Sequence, residues 1–241
     1  MLEGRYGYKR DTNMKKLSDF HTIRSANTEL IKRVSSLMFI EVGDGVYDIL
    51  GDVDFGDLGL SSLLEVTALL KELTSSKISV RIRKVQGNFN CSDNNLTDLK
   101  GAPEYVKENF KCYSNKLGTL EGAPKYVGGH FWCDRNNLKN LIGAPQYIGK
   151  GFYCSFNQLV SLEGAPKRVE GGFDCSTNQL QTLQGAPEYV GSDFDCSDNA
   201  LVSLEGAPKY VGGVFECGFN PKEFTVEEVR KLVNVGGGIQ T

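Results

Sequence analysis

Seven cysteines are the first residues in this sequence that could do chemistry, and they fall at Cys91, Cys112, Cys133, Cys154, Cys175, Cys196 and Cys217, a constant interval of 21. A thiolate can attack a carbonyl, ligate zinc or pair as a disulfide. The spacing fits none of these. Zinc sites bring ligands together in close pairs, whereas no Cys-x-x-Cys occurs here, and an odd count at one recurring position is not a paired framework. Unpaired cysteine packs as a small hydrophobe, so the row reads as reduced core. The other candidates are few. His21 and His130 are the only histidines, and the chain has no His-Glu-x-x-His, Gly-x-Ser-x-Gly or phosphate-binding loop. Asp52-x-Asp54-x-x-Asp57 and Asp193-x-Asp195-x-x-Asp198 lack the glycine and glutamate of an EF-hand, which leaves them as solvated or turn-capping acids. No catalytic residue, metal ligand or cofactor is assigned, and the chain is expected not to be an enzyme.

The elements that carry these residues repeat with the same period. Phe89 to Phe215 precede each cysteine by two, Asn94 to Asn220 follow it by three, and two leucines follow each asparagine from Leu96 and Leu99 to Leu201 and Leu204. Gly-Ala-Pro recurs at 101, 122, 143, 164, 185 and 206, followed by Val106, Val127, Ile148, Val169, Val190 and Val211. A fixed period in the twenties specifies a solenoid. Phe-x-Cys alternates as a short strand with both named side chains inward. Stacked coils then form a parallel sheet whose bonds run between coils. The buried asparagine needs backbone partners at the bend, which the neighbouring coil supplies as an asparagine ladder.

The segments on either side are read as caps, because terminal repeats need polar outer faces. Residues 1–19 form a polar, flexible segment; residues 20–86 an N-terminal capping region; 87–220 seven repeats; 221–241 a C-terminal capping helix and tail. Within the first cap, Leu30, Ile31, Val34, Leu37 and Met38 mark a helix, Gly43-Asp-Gly45 a hairpin turn, and Gly51-Asp-Val53-Asp-Phe55 a degenerate first coil. Ser62-x-x-Glu65 is a capping box for a second helix, and Ile78, Val80 and Ile82 alternate as an edge or capping strand. Thr225-x-x-Glu228 caps the last helix, for which Gly236 offers a stop.

The motif Phe-x-Cys-x-x-Asn-x-Leu-x-x-Leu resembles the Leu-x-Leu-x-x-Asn-x-Leu core of leucine-rich repeats. It is also similar to Phe-x-Cys-Ser-x-Asn-x-Leu-x-x-Leu-x-Gly-Ala-Pro arrays in repeat proteins of tailed bacteriophages and bacteria, over about residues 51–220. The resemblance implies an α/β solenoid, a leucine-rich-repeat-like right-handed coil with a parallel sheet on one face, and by analogy protein–protein interaction.

Function is sought at the outward positions of the sheet. Lys111, Tyr113, His130, Trp132, Arg135, Tyr153 and Phe156 gather in the second to fourth regular coils, and Asp174, Asp193, Asp195, Asp198 and Glu216 follow. Exposed aromatics and arginine beside an acidic strip have the composition of an interface hot spot with an electrostatic neighbour. Lys111, Tyr113, His130, Trp132, Arg135, Tyr153, Phe156, Asp174 and Asp195 are therefore the candidate partner-binding residues, for a protein partner. The alternative is nucleic acid or a phage counter-defence target, met through the basic N-terminal cap with Lys77, Arg81, Arg83 and Lys84. A net charge of −3 disfavours nucleic acid as the general partner. No apolar run approaches the roughly 18 residues of a membrane span, and the first residues lack the apolar core of a secretion signal. The expectation is a cytoplasmic monomer, in the host cytoplasm if phage-encoded.

Overall fold

The computed structural model describes residues 15–16, 28–74, 76 and 78–241. The flexible segment expected at the N-terminus, apart from Lys15–Lys16, and both His21 and Lys77 lie outside the described residues. The chain is a β-solenoid of about seven turns with parallel sheets and few helices. Its spine is a nine-stranded parallel ladder that runs from Val53–Asp54 through Phe89–Asn90, Phe110–Lys111, Phe131–Trp132, Phe152–Tyr153, Phe173–Asp174, Phe194–Asp195 and Phe215–Glu216 to Ile239–Gln240. Each rung is two residues long, and in the seven phenylalanine rungs the ring is buried and its neighbour half-buried on the outside. In-register stacking lays the rings on one another at centroid distances of 5.2 to 5.7 Å from Phe89 to Phe215, the offset arrangement that aromatic quadrupoles favour. Val53 pairs with Phe89, so the degenerate first coil holds the register the sequence suggests.

The asparagines complete the core. Asn136 accepts the Leu117 N–H at Oδ1 (2.9 Å) and donates from Nδ2 to the carbonyls of Cys112, Cys133 and Asp134 at 3.0, 3.1 and 3.2 Å. The same set recurs at each rung from Asn115 to Asn220. Each amide thus bonds its own bend and the previous one, which is why a polar side chain can sit in the core row. Gly101, Gly122, Gly143, Gly164, Gly185 and Gly206 hold φ of 84 to 97°. A Cβ at Gly122 would also run into the backbone of Leu99 and Lys100 in the preceding coil, so this bend requires glycine twice over.

The sheet does not occupy one face alone. The dipeptides after Gly-Ala-Pro form a second parallel ladder, Tyr105–Val106, Tyr126–Val127 and Tyr147–Ile148 in one sheet and Arg168–Val169, Tyr189–Val190, Tyr210–Val211 and Asn234–Val235 in another. Coils stacked at strand spacing on one side stay close on the other, so extended dipeptides there can pair. The first of these sheets continues through Arg81–Val85 to the hairpin Met38–Gly43 and Val46–Ile49, whose turn uses Asp44 and Gly45 at positive φ. Arg81–Val85 therefore lies between two partners and is not an edge strand.

Among the described residues, three helices decorate the coils. Helix α1 spans Thr28–Ser35 and rests on α2, Leu64–Leu73. Before α2, Glu65 takes the N–H groups of Ser61 and Ser62, but the Ser62 hydroxyl accepts from Leu64 rather than Glu65, so only half of the expected box forms. Helix α3, Val226–Leu232, has the full box between Thr225 and Glu228. Gly236 does not end this helix. After Leu232 the chain re-enters both ladders, with Val235 beside Val211 and Ile239 beside Phe215.

Candidate partner-binding face

The outward positions of the phenylalanine ladder hold the candidate residues, and the coil stacking brings most of them into contact. Trp132 and Tyr153 are registered neighbours, with ring centroids 5.7 Å apart and planes 12° apart. His130 lies 4.9 Å from Trp132 and 5.7 Å from Tyr153. The Lys111 ammonium lies 5.5 Å from the centre of the tryptophan ring, and the Arg135 guanidinium 4.4 Å from that of Phe156, both within cation–π range. A shallow hollow is lined by Lys111, Tyr113, Trp132, Asp134 and Arg135. The result is one continuous aromatic and cationic surface across three coils.

The row then changes sign. Asp174 pairs with Tyr153 on one side and Asp195 on the other, and Asp195 with Glu216. Successive rungs stand about 4.8 Å apart, so these carboxylates repel one another. Burial, and then the neighbouring acids, raise the Asp195 and Glu216 carboxyls above their ordinary range. Asp174 and Asp195 each use Oδ1 to accept both the N–H and the hydroxyl of the serine two residues on, at 2.9 and 2.6 Å. Asn90 does the same for Ser92. One function of these acids is thus to close the local bend, for which asparagine serves equally well.

His130 has a second role that its sequence position did not reveal. In the first three regular coils the residue before the phenylalanine passes an acceptor to the next coil: Asn88 Oδ1 takes the Asn109 N–H, Asn109 Oδ1 the His130 N–H, and His130 Nδ1 the Gly151 N–H at 3.0 Å. Accepting there requires a neutral Nδ1. Burial, followed by Lys150, lowers the His130 pKa and keeps it so. The clue in the sequence was the asparagine at both preceding positions of the row.

Arg135 and Phe156 occupy another constrained row. The residue before each ladder asparagine has φ of 52 to 56°, and Asp93, Ser114, Thr177, Asp198 and Phe219 stand there in other coils. Aspartate tolerates this left-handed conformation; a large apolar side chain is strained in it. Phe156 is nevertheless 48% exposed.

The cysteines leave no chemistry on offer. All seven are free and buried, and burial raises each thiol pKa, that of Cys217 to about 11. Six donate S–H to the carbonyl of the rung ahead at 3.2 to 3.4 Å, as Cys112 does to Trp132. Asp52 is occupied by Asn88, and Asp54 by Gly56 and Asn90. Among the described residues no group of three or more His, Cys, Asp or Glu is placed to hold a metal ion, and no helix is long and apolar enough to cross a membrane. Of the basic cluster named for nucleic acid, the three described residues are engaged: Arg83 holds buried Asp48 at 2.9 and 2.6 Å, Arg81 pairs with Glu104, and Lys84 lies over Tyr105. Compared with known proteins, the chain matches no family model and no curated relative.

Proposed function

We propose that this chain is a non-enzymatic binding module that takes a protein partner on the outward face of the phenylalanine ladder. The observation that carries the reading is continuity: Lys111, Trp132, His130 and Tyr153 touch in sequence and pass in register into Asp174, Asp195 and Glu216. A partner suited to it carries an apolar anchor for the aromatic half and cations for the acidic half. Phe156 adds support, because a left-handed, exposed phenylalanine costs about 1 kcal/mol of strain and the core gains nothing from it. Nucleic acid bound through the N-terminal region is the weaker reading, since Arg81, Arg83 and Lys84 already have partners within the fold.

The repeat's likeness to leucine-rich and phage arrays supports a leucine-rich-repeat-like, right-handed arrangement in which residues 20–86 and α3 shield the ends. We further propose a monomer acting in the cytoplasm, that of the host if the source is a phage. The test is capture from the native host's lysate, identification of the partner by mass spectrometry, and titration with purified protein. Trp132→Ala/Tyr153→Ala should lose binding at least tenfold with an unchanged circular dichroism spectrum. Phe156→Asn should also weaken binding while raising stability by about 0.5 to 1 kcal/mol through relief of strain. Equal binding by the double aromatic variant would overturn the assignment of this face.

A further inference from the structure

The tyrosine ladder is interrupted once, between Tyr147–Ile148 and Arg168–Val169. The cause is a single row. The residue after Val106 and its equivalents is Lys107, Gly128, Gly149, Glu170, Gly191 and Gly212. At Gly128, Gly149, Gly191 and Gly212 a Cβ would meet the carbonyl oxygen of the preceding coil at less than 3.0 Å. Glu170 has that Cβ and cannot come as close. Lys107, beside the longer strand Arg81–Val85, is the exception: it carries a Cβ and its N–H keeps the Val85 carbonyl at 3.0 Å. Val127, Val169 and Val190 carbonyls each receive a glycine N–H at 2.9 Å, whereas Glu170 makes no such bond to Ile148.

The ring stack breaks at the same point. Tyr105, Tyr126 and Tyr147 stack at 4.5 and 4.6 Å, and Tyr189 and Tyr210 at 5.0 Å. Where the next tyrosine should follow Tyr147 stands Arg168, whose guanidinium lies 3.6 Å from the centre of the Tyr189 ring and is held by both oxygens of Glu170, at 2.5 and 3.0 Å. Tyr147 has no ring on that side and is 47% exposed. Between the two coils opens a cleft of about 340 Å³, lined by Pro145, Tyr147 and Ile148 on one side and Pro166, Arg168 and Glu170 on the other.

We propose that this cleft binds a planar aromatic group, which stacks on the exposed ring of Tyr147 and meets the Arg168 guanidinium across the cleft. The site lies on the other ladder from the partner-binding face and stands without it. An aromatic face suits both walls, a ring on one side and a guanidinium on the other. The volume is at the lower end of small-molecule pockets, the size for one ring system. The unpaired Ile148 carbonyl is the acceptor for a donor on that group, which an indole or phenol supplies. Such a group could belong to a free small molecule or to a tryptophan or tyrosine side chain of another polypeptide.

The test titrates the whole protein, labelled with nitrogen-15, with indole, with N-acetyl-glycyl-tryptophyl-glycinamide, and with cyclohexanol as a non-aromatic control. Indole should give saturable amide shifts confined to residues 144–170, with a dissociation constant on the order of 1 mM. The double substitution Arg168→Tyr/Glu170→Gly installs the residues of the neighbouring rows, closes the ladder and should weaken indole binding at least tenfold. Tyr147→Leu should do the same with the cleft left open. A tenfold tighter fit of the tripeptide than of indole assigns the site to a polypeptide partner, and equal affinity to a free aromatic molecule. Cyclohexanol binding as tightly as indole, shifts that persist in the closed variant, or no saturable shift with either aromatic probe would each overturn the proposal.

Discussion

Adjacent rungs of the asparagine ladder should be energetically coupled, and rungs two apart should not. Cys112 O receives the amides of Asn115 at 3.2 Å and Asn136 at 3.0 Å, and among the described residues no other donor reaches it. Asn136→Ala therefore leaves Cys112 O with Asn115, Cys133 O with Asn157, and Asp134 O with the Ser114 N–H. Only the Leu117 N–H loses its sole partner. Stranding one buried donor costs about 1 to 3 kcal/mol. With the weakening of three shared bonds, the single substitution should cost about 2 to 4 kcal/mol. Asn115→Ala strands the Leu96 N–H in the same way. Together the two strip Cys112 O of both donors, an additional cost of about 1 to 3 kcal/mol that neither single change carries. Asn115 and Asn157 share no acceptor, so that pair should be additive to within about 0.5 kcal/mol. Urea unfolding of the six proteins, followed by both circular dichroism and the Trp132 fluorescence, reads out the two cycles. Coupling below about 0.5 kcal/mol in the adjacent pair, or equal coupling in the separated pair, would refute the shared-acceptor reasoning.

Two further outcomes follow from the same rows. Because burial raises every thiol pKa, brief iodoacetamide treatment of the native protein at pH 8 should leave the thiols unmodified, and treatment in urea should add seven groups, one per cysteine; rapid native alkylation of Cys112 to Cys196, counted by mass spectrometry, would contradict the buried ladder. His130 has a folded pKa below its unfolded one, so the unfolded chain binds the proton more readily and stability is lost as pH falls through the ordinary histidine value of about 6.5. Protonation also removes the acceptor of the Gly151 N–H, a bond worth about 0.5 to 1.5 kcal/mol. Asp195 and Glu216, whose pKa values are raised by burial and then by the neighbouring acids, act in the opposite direction, since acid neutralises them. The readout is accordingly the stability difference between the native protein and His130→Asn, compared at pH 7.5 and 5.5. It should shift against the native protein at pH 5.5, and a difference independent of pH would refute the assignment.

What could be read from the sequence was whatever recurs at an interval of 21. Phe110, Cys112, Asn115, Leu117 and Leu120 declared themselves by type and spacing, and the alternation in Phe-x-Cys separated inside from outside. The second ladder was hidden because its rungs are two residues long and follow a proline turn, too short for an alternating pattern to register. Its outer row, Tyr105, Tyr126, Tyr147, Tyr189 and Tyr210, nonetheless keeps the interval of 21 and is broken only at Arg168. The last half coil escaped for another reason. Asn234-Val-Gly-Gly-Gly-Ile-Gln240 repeats the pattern of Tyr210-Val-Gly-Gly-Val-Phe-Glu216, but α3 displaces it by three residues from the period. The break at Glu170 could not be found from periodicity at all, since it depends on how closely the glycine row approaches the coil before it.

The division between fold and function follows from where the backbone bonds go. In a stacked coil the main chain bonds to the next coil, and the asparagine, cysteine and glycine rows serve that stacking. An outward side chain can change without disturbing a rung, whereas a change in a stacking row is felt by the coil beside it. The aromatic cluster of Trp132, Tyr153 and Phe156 is a departure of the first kind, and Glu170 one of the second. The first leaves the phenylalanine ladder intact beneath it; the second opens the only gap in the tyrosine ladder between Tyr105 and Val235. Both fall within residues 132–170, on adjacent coils and on different ladders. A binding surface added to this fold can vary its outer residues at little structural cost, but a cleft requires a defect in the stacking itself. That requirement makes the glycine row the place to look for pockets in a solenoid of this construction.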